Sequence, residues 1–301
     1  FGQREVLDQA LISLMSGGHV LLVGVPGLAK TRLTEILGIV LGLSERRVQF
    51  TPDLMPADIL GSEVLEESDV GRRSFRFIEG PVFSQLLMAD EINRASPRTQ
   101  SALLQAMQEH QVTVAGQTHF LRNPFIVFAT QNPIDSEGTY PIPEAQLDRF
   151  LFNIDIRYPD VDEEVRIAEL PSTLDASQLK PIFEPALIPG FQELVEAVPV
   201  GQHLTEWVVR FVRSTRPDQS DFEEVRQFVE WGAGVRASQN IVRAAQARAL
   251  LDGASAVRPE HIQSVLLPVL RHRIILNFSA EAEHRTTDQM IENLLDQLPF
   301  P

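Results

Sequence analysis

The chain has 301 residues, of which 44% are hydrophobic, and this length suits roughly two domains with a core each. Its formal net charge is -15, with lysine only at positions 30 and 180, a balance that disfavours nucleic acid as the main ligand. Cysteine is absent, which excludes disulfides, and no apolar run approaches the roughly 20 residues that span a bilayer, so we expect a cytoplasmic protein without a membrane span.

Up to about residue 156 the chain alternates short β-rich runs with helical stretches, which predicts a parallel sheet with crossover helices. The predicted strands are residues 19–23, 47–51, 85–90, 125–130 and 151–156. Two further stretches predict hairpins that decorate this core. They are residues 73–78, closing on Glu79-Gly80-Pro81, and residues 112–121, turning near Ala115-Gly116.

The strand pattern stops after residue 158, and a proline-rich stretch leads into helical periodicity such as Leu204, Val208, Phe211 and Val212. The predicted later helices are residues 223–230, 238–251 and 259–275, the last with proline in its first position. We therefore divide the chain into an α/β domain over residues 1–158, a linker over 159–198 and a helical domain over 199–301.

Residues 24–31 read GVPGLAKT, follow an apolar strand and open an amphipathic helix, which is the context of a phosphate-binding loop. Glycines allow backbone amides to face an anion, Lys30 can reach the β- and γ-phosphates of ATP, and the Thr31 hydroxyl can coordinate magnesium. The alternative is a Gly-Pro turn before a helix that carries a surface lysine. The predicted nucleotide contacts of this segment are Gly24, Val25, Pro26, Gly27, Leu28, Ala29, Lys30, Thr31 and Arg32.

Ala29 stands where such loops usually carry glycine before the lysine. We expect a negative φ at this helix start, and a Cβ is tolerated there. The departure from the usual pattern is then a modest one.

Residues 86–89, LLMA, predict a buried strand that ends in Asp90-Glu91, where open α/β sheets place their ligands. Asp90 would hold magnesium, and Glu91 would polarise the attacking water as general base. The alternative is a solvated acidic pair in a turn. A further strand places Asn132 just past its end, where the amide could orient that water or, alternatively, cap a turn.

These residues resemble the AAA+ ATPases, and more narrowly the MoxR family. The resemblance covers nearly the whole chain through GQREVLDQAL, GVPGLAKT, QFTPDLMPADILG, MADEINRA, ATQNP, PEAQLDRF and GAGVRASQNIVRAAQA. It implies an α/β P-loop NTPase core with a five-stranded parallel sheet of order 5-1-4-3-2, followed by an all-helical lid. It also implies that Lys30 and Thr31 are the Walker A pair, Asp90 and Glu91 the Walker B pair, and Asn132 sensor 1.

The resemblance implies two further roles that spacing does not reveal. Arg149, in LDRF, would be an arginine finger that reaches the ATP of a neighbouring subunit, and Arg236, in GVRAS, would be sensor 2 from the lid. The alternatives are a salt bridge from Arg149 to Asp148 or Asp155, and a helix-end surface charge for Arg236. Arg94 has a weaker claim to the site and would be structural or at a subunit contact.

The resemblance further implies a hexameric ring that uses ATP and Mg²⁺. The work expected is chaperone-like remodelling or metal-cofactor maturation of a client with a von Willebrand factor A domain. Two alternatives stay open. One is an ATP-dependent switch or scaffold with little turnover. The other is a DNA-associated motor, which the net negative charge of the chain disfavours.

Two segments have no assigned role on sequence grounds. An apolar group between prolines would either contact a client or pack onto the core, and it consists of Leu54, Met55, Ile59 and Leu60. The Gly2-Gln3 pair resembles the entry segment on the adenine side of the family's nucleotide site.

Overall fold

A computed structural model describes residues 3–67, 73–133, 138–169 and 179–301. The chain divides into two compact units. The first comprises the described parts of Phe1–Leu7, His19–Arg149 and Asp155–Pro189, and the second comprises Asp8–Gly18, Phe150–Ile154 and Gly190–Pro301. The predicted domain boundaries at residues 158 and 199 stay a prediction.

The helices and strands of the first half are, in chain order, α1 (Arg4–Met15), β1 (His19–Val23), α2 (Lys30–Val40), β2 (Glu45–Gln49), α3 (Pro56–Leu60), β3 (Gly61–Glu67), β4 (Arg73–Glu79), β5 (Leu86–Asp90), α4 (Pro97–Glu109), β6 (Gln111–Val114), β7 (Gln117–Phe120), β8 (Ile126–Gln131), α5 (Glu144–Leu147) and β9 (Phe150–Asp155). Those of the second half are α6 (Val161–Glu169), α7 (Ile188–Ala197), α8 (Gln202–Ser214), α9 (Glu223–Phe228), β10 (Val229–Trp231), α10 (Val235–Leu251), α11 (Pro259–Leu270), β11 (Ile275–Leu276), α12 (Phe278–Ala282) and α13 (Thr287–Gln297). Among the described residues, no helix has the length and apolar character needed to traverse a bilayer.

The main sheet has five strands in the order β2-β5-β8-β1-β9. If these five strands are numbered by themselves in chain order and read from the β9 edge, the order is 5-1-4-3-2, as the family resemblance implies. The inner strands β5 and β8 are almost wholly buried, as expected for parallel strands covered on both faces. Strand β2 begins two residues earlier than predicted because Glu45 and Arg46 already pair with Leu86 and Leu87, although their side chains are polar.

The second predicted hairpin is confirmed, since β6 pairs antiparallel with β7. Its turn uses Ala115 with φ 48° and Gly116 with φ 84°, the left-handed pair that matches the twist of a two-residue hairpin. The first predicted hairpin was wrong in its turn. Strand β4 pairs with the preceding β3, so the connection falls in residues 68–72, outside the described residues, and Glu79-Gly80 instead leads into a short 3₁₀ helix over Pro81–Phe83.

Strand β3 escaped prediction because both of its faces are largely exposed and it carries GSEVLEE, without the apolar alternation of a half-buried strand. The neighbouring apolar segment is split between core and surface. Ile59 is fully buried, whereas Met55 is 62% exposed. The core alternative therefore holds for Ile59, and the role of Met55 stays open.

The second unit is built mainly from helices, as the lid prediction expects. The predicted stripe of α8 is buried, including Leu204, Val208 and Phe211. Helix α10 begins three residues earlier than predicted, after Gly234, and α11 begins at Pro259 but ends at Leu270 rather than at residue 275. One short antiparallel pair, β10 with β11, accompanies these helices.

The residues that follow α11 hold the first part of β9 by its carbonyl oxygens. Arg271 donates to Asn153 O at 3.2 Å, and Arg273 donates to Leu151 O at 3.2 Å. His272 Nε2 donates to Phe150 O at 3.1 Å. Since β9 is an edge strand, these donors satisfy backbone acceptors that have no further strand to pair with.

His19, the first residue of β1, is buried and is bonded to β8 and to the last turns of α4. Its Nδ1 accepts the Val127 N–H at 3.0 Å, and its Nε2 donates to Met107 O at 3.1 Å. Burial lowers the pKa of His19 to about 4, with a further lowering from His110, while the bond to Met107 opposes the shift. The neutral imidazole is required, because protonated Nδ1 could not accept the Val127 amide.

Stability should therefore depend on pH through His19. The folded-state pKa lies near 4 and the unfolded value near 6.5, so its contribution is complete above pH 6.5 and is lost as the pH falls toward 4. The loss should reach about 3 kcal/mol in the free energy of unfolding. His19→Gln keeps a neutral donor and acceptor and should flatten this part of the profile, measured by chemical denaturation and circular dichroism. The exposed control His203→Gln should keep the wild-type slope; equal slopes in all three proteins would contradict the assignment.

Candidate active site

The phosphate-binding segment forms the loop between β1 and α2. A Cβ on Gly24 would lie 2.7 Å from Ile156 O, and Gly27 has φ +88°, so each position requires glycine for a different reason. Lys30 is the first residue of α2. Its ammonium folds over the loop and donates to Gly24 O and, at 3.2 Å, to Val25 O. The loop is thus closed on itself by the lysine that was predicted to reach phosphate.

Ala29 contradicts the expectation of a negative φ. It lies at the N-cap of α2 with φ 56° and ψ 24°, in the left-handed region. A non-glycine residue costs about 1–2 kcal/mol in this conformation. The usual glycine at this position therefore has a physical reason, and the surrounding loop holds Ala29 against its own backbone preference.

The loop is anchored on its other side by Gln3, whose side-chain amide donates to Leu28 O at 3.0 Å. Leu28 itself is buried. Of the Gly2-Gln3 pair, Gly2 lies outside the described residues. The Gln3 side chain therefore supports the loop by binding the loop's backbone at Leu28. Gln3 lies in the segment that the family resemblance assigns to the adenine side of the nucleotide site.

Asp90, the last residue of β5, receives hydrogen bonds from both neighbouring strands and from the loop helix. Thr130 Oγ1 donates to its Oδ1 at 2.6 Å. Its Oδ2 accepts from Arg47 at 2.7 Å and lies 3.5 Å from the donating Thr31 Oγ1. The Asp90 side chain is only 11% exposed. The structure thus brings together Thr31 and Asp90, the two predicted magnesium ligands.

Glu91 follows in a left-handed backbone conformation, with φ 54° and ψ 51°. Its N–H donates to Thr130 Oγ1 at 2.8 Å. Its Oε2 accepts from Gln49 at 2.8 Å and from Arg94 at 3.1 Å. An unusual backbone held by several partners is characteristic of functional positions. Arg94, expected to be structural or at a subunit contact, here pairs with the predicted general base.

The charges of this acidic pair act on Lys30. Burial lowers the pKa of Lys30, and the nearby carboxylates of Asp90 and Glu91 partly oppose that shift. A desolvated lysine beside two carboxylates favours a ligand that supplies further negative charge to it. Phosphate oxygens at the loop would meet that requirement.

Three residues of the site were missed by the sequence analysis, namely Arg47, Gln49 and Thr130. Arg47 and Gln49 lie two apart on β2, and Thr130 lies on β8, the strands on either side of β5. Their only signal in the sequence is a polar side chain on a predicted strand. That signal becomes specific only when the sheet order and register are known.

The remaining predicted residues are placed on their elements. Asn132 directly follows β8 and is 6% exposed. Arg149 lies half-buried between α5 and β9. Asp155, one of its two alternative partners, pairs with Arg157 at 2.9 Å. Arg236 is an exposed residue in the first turn of α10.

The donor set fits ATP with magnesium. The described residues contain no group of three or more His, Cys, Asp or Glu side chains able to hold a metal by themselves. Thr31 and Asp90 offer two hard oxygen atoms beside a phosphate-binding loop. Magnesium commonly takes one or two protein ligands and completes its shell with water and phosphate oxygens. Such an ion would therefore arrive with the nucleotide.

Comparison with known proteins agrees with this geometry. A model described as "ATPase family associated with various cellular activities (AAA)" matches residues 19–152, and an "AAA lid domain" model matches residues 222–294. Chaperone MoxR1 of Mycobacterium tuberculosis is 42% identical over 301 residues, which cover 100% of this chain and 79% of that protein. The chain belongs to the MoxR family of AAA+ ATPases.

Two further relatives cover the chain completely. Protein MoxR of Paracoccus denitrificans is 32% identical over 319 residues and is covered to 92% of its length. The crystal structure of a candidate ATPase from Cytophaga hutchinsonii has 39% identity and a TM-score of 0.91, with 91% of that chain covered. The MoxR fold of a parallel sheet followed by a helical lid is therefore established for this chain.

Thr130 provides a test of how the two MoxR carboxylates are held. Thr130→Val is nearly isosteric but removes the hydroxyl that serves both Asp90 and the Glu91 amide. Leaving these buried groups without a partner should lower the free energy of unfolding by about 1–3 kcal/mol. Thr130→Ser keeps the hydroxyl and should lose less. A larger loss in Thr130→Ser than in Thr130→Val, measured by chemical denaturation, would show that the methyl group and not the hydroxyl carries the effect.

Proposed function

We propose that this chain hydrolyses ATP at the site formed by the loop, Thr31, Asp90 and Glu91. The observation that carries the proposal is the convergence of Thr31 Oγ1 on Asp90 Oδ2 beside a loop that Lys30 closes. ATP hydrolysis is the general activity of the AAA+ family. For this chain it is supported further by the strand-end position of Glu91, whose carboxylate is oriented by two side chains.

Each residue has a defined task in this mechanism. Thr31 and Asp90 would hold magnesium, which would supply positive charge to the phosphate oxygens. Lys30 binds the β- and γ-phosphates with its ammonium group. Glu91 accepts a proton from the attacking water, and Asn132 orients that water by its amide. The loop from Gly24 to Arg32 supplies backbone amides to the phosphates.

Two arginines complete the proposed site. Arg149 acts from the neighbouring subunit as an arginine finger, and Arg236 acts from the lid as sensor 2. A guanidinium stabilises the negative charge that spreads over the transferring phosphoryl oxygens, an effect of roughly 10³ to 10⁵ in rate in other systems. AAA+ proteins are usually oligomeric, and we propose a hexameric ring for this chain.

The work done by the ring is proposed from the relatives. One of them is named a chaperone, so we infer ATP-driven, chaperone-like remodelling or metal-cofactor maturation of a client protein in the cytoplasm. A von Willebrand factor A domain in the client remains the family expectation. A motor acting on DNA would instead show salt-sensitive DNA binding and DNA-stimulated turnover.

Replacement of Glu91 tests hydrolysis directly. Glu91→Gln should lower steady-state phosphate release by about 10² to 10⁴ because it removes the base while keeping the side-chain shape. Binding of ATP, measured by titration calorimetry, should survive, whereas Lys30→Ala should lose it. A wild-type protein that binds ATP without turnover in any oligomeric state would favour the switch or scaffold alternative.

The trans role of Arg149 makes a separate prediction about mixed rings. Arg149→Ala and Lys30→Ala subunits should each be inactive, yet a mixture should regain part of the turnover. An interface that joins the loop of the first variant to the arginine of the second is intact. A mixture of Lys30→Ala with Glu91→Gln is the matched control and should stay inactive, because both lesions lie in the same subunit's half of the site. If the first mixture also stays inactive although mixed rings form, Arg149 does not act across the interface.

A further inference from the structure

Strand β2 contacts both acidic residues of the site from one side. Arg47 and Gln49 are two residues apart, so their side chains leave the same face of the strand. Arg47 donates to Asp90 Oδ2 at 2.7 Å, and Gln49 donates to Glu91 Oε2 at 2.8 Å. The two predicted catalytic and metal-binding carboxylates are thus tied to one edge strand that the phosphate-binding motifs do not include.

Arg47 contacts Asp90 Oδ2, the oxygen that would bind magnesium in the proposed site. Asp90 Oδ2 is the oxygen approached by the Thr31 hydroxyl, whereas Oδ1 is already bonded to Thr130. A guanidinium at 2.7 Å and a divalent cation would compete for the same oxygen, since each carries positive charge and repels the other at such a distance. Thr130, in contrast, leaves Oδ2 accessible.

We propose that Arg47 occupies the magnesium position on Asp90 until Mg²⁺ displaces it, and so sets the Mg²⁺ concentration at which the nucleotide site loads. This inference rests on the proposed function of the site. It assigns a positioning role to a residue outside the Walker motifs. Arg47 holds Asp90 in a single orientation without metal and then withdraws.

The exposure of Arg47 makes this exchange reversible. Its side chain is 53% exposed, while that of Asp90 is 11% exposed. The guanidinium therefore regains hydration when it leaves, and the pair is weak enough for a divalent ion to break. A buried partner would instead lock the carboxylate and prevent loading.

The neighbouring Arg46 supplies a matched control. It carries the same charge one residue earlier, but its side chain leaves the opposite face of β2 and lines a cavity with Glu79 and Arg122. Replacing Arg46 or Arg47 by Gln changes the net charge of the protein equally. A difference between the two variants therefore reports the contact with Asp90 rather than the overall field.

The experiment measures Mg²⁺-dependent binding of a non-hydrolysable ATP analogue in wild-type protein, Arg47→Gln and Arg46→Gln. Arg47→Gln should lower the Mg²⁺ concentration at half-saturation by about fivefold, the upper end of the effect of losing an exposed ion pair, since Asp90 itself is mostly buried. Arg46→Gln should stay within about twofold of wild type, and analogue binding in EDTA should be the same in all three. Direct Mn²⁺ titration followed by electron paramagnetic resonance gives a second readout that needs no turnover.

Arg47→Lys keeps the charge without the planar guanidinium and should fall between wild type and Arg47→Gln, which covers the case in which the glutamine variant folds poorly. An unchanged or raised half-saturation in Arg47→Gln relative to Arg46→Gln would overturn the inference while leaving the ATP site intact. If no variant, including wild type, binds the analogue, the inference and the proposed function fail together.

Discussion

The parallel pairing of β5 between β2 and β8 is the constraint on which the site depends. Parallel strands end at the same edge of the sheet, so Gln49, Asp90 and Gln131 reach that edge on three adjacent strands. The register pairs Gln49 with Asp90, which brings the end of β2 directly beside the acidic pair. No single strand contains the site. It exists because buried apolar residues hold polar strand ends in alignment.

Two residues at the ends of the site's elements have energetically unfavourable backbone conformations. Ala29 precedes the loop helix and Glu91 follows the acidic strand, and both have left-handed backbones. Each costs about 1–2 kcal/mol for a residue with a Cβ. Favourable contacts must offset these costs, and the Thr130 hydroxyl contributes by bonding the Glu91 amide at 2.8 Å. These contacts orient Asp90 and Glu91 before a nucleotide arrives, which reduces the loss of conformational entropy on binding.

The parts of the site that are local in sequence could be predicted, and those that depend on register could not. Lys30 and the Asp90-Glu91 pair follow from a short motif and a strand end, while the sheet order came from the family resemblance. Arg47 and Thr130 were missed because each becomes meaningful only beside β5, and no local pattern states which strand is a neighbour. Strand β3 was missed because both of its faces are largely exposed to solvent. The sign of φ at Ala29 was wrong because the closing of the loop overrides the ordinary preference of a helix start.

The charges of the described site explain why we propose that it is completed by a neighbour. Arg94 contacts Glu91 at 3.1 Å, and Arg47 contacts Asp90 at 2.7 Å in the arrangement without metal. Lys30 donates to the carbonyl oxygens of the loop, and its pKa is lowered by burial. Triphosphate carries more negative charge than one ammonium balances, and magnesium offsets only part of it. A further guanidinium would stabilise the charge that spreads over the transferring oxygens. We propose that Arg149, half-buried between α5 and β9, supplies it to another subunit.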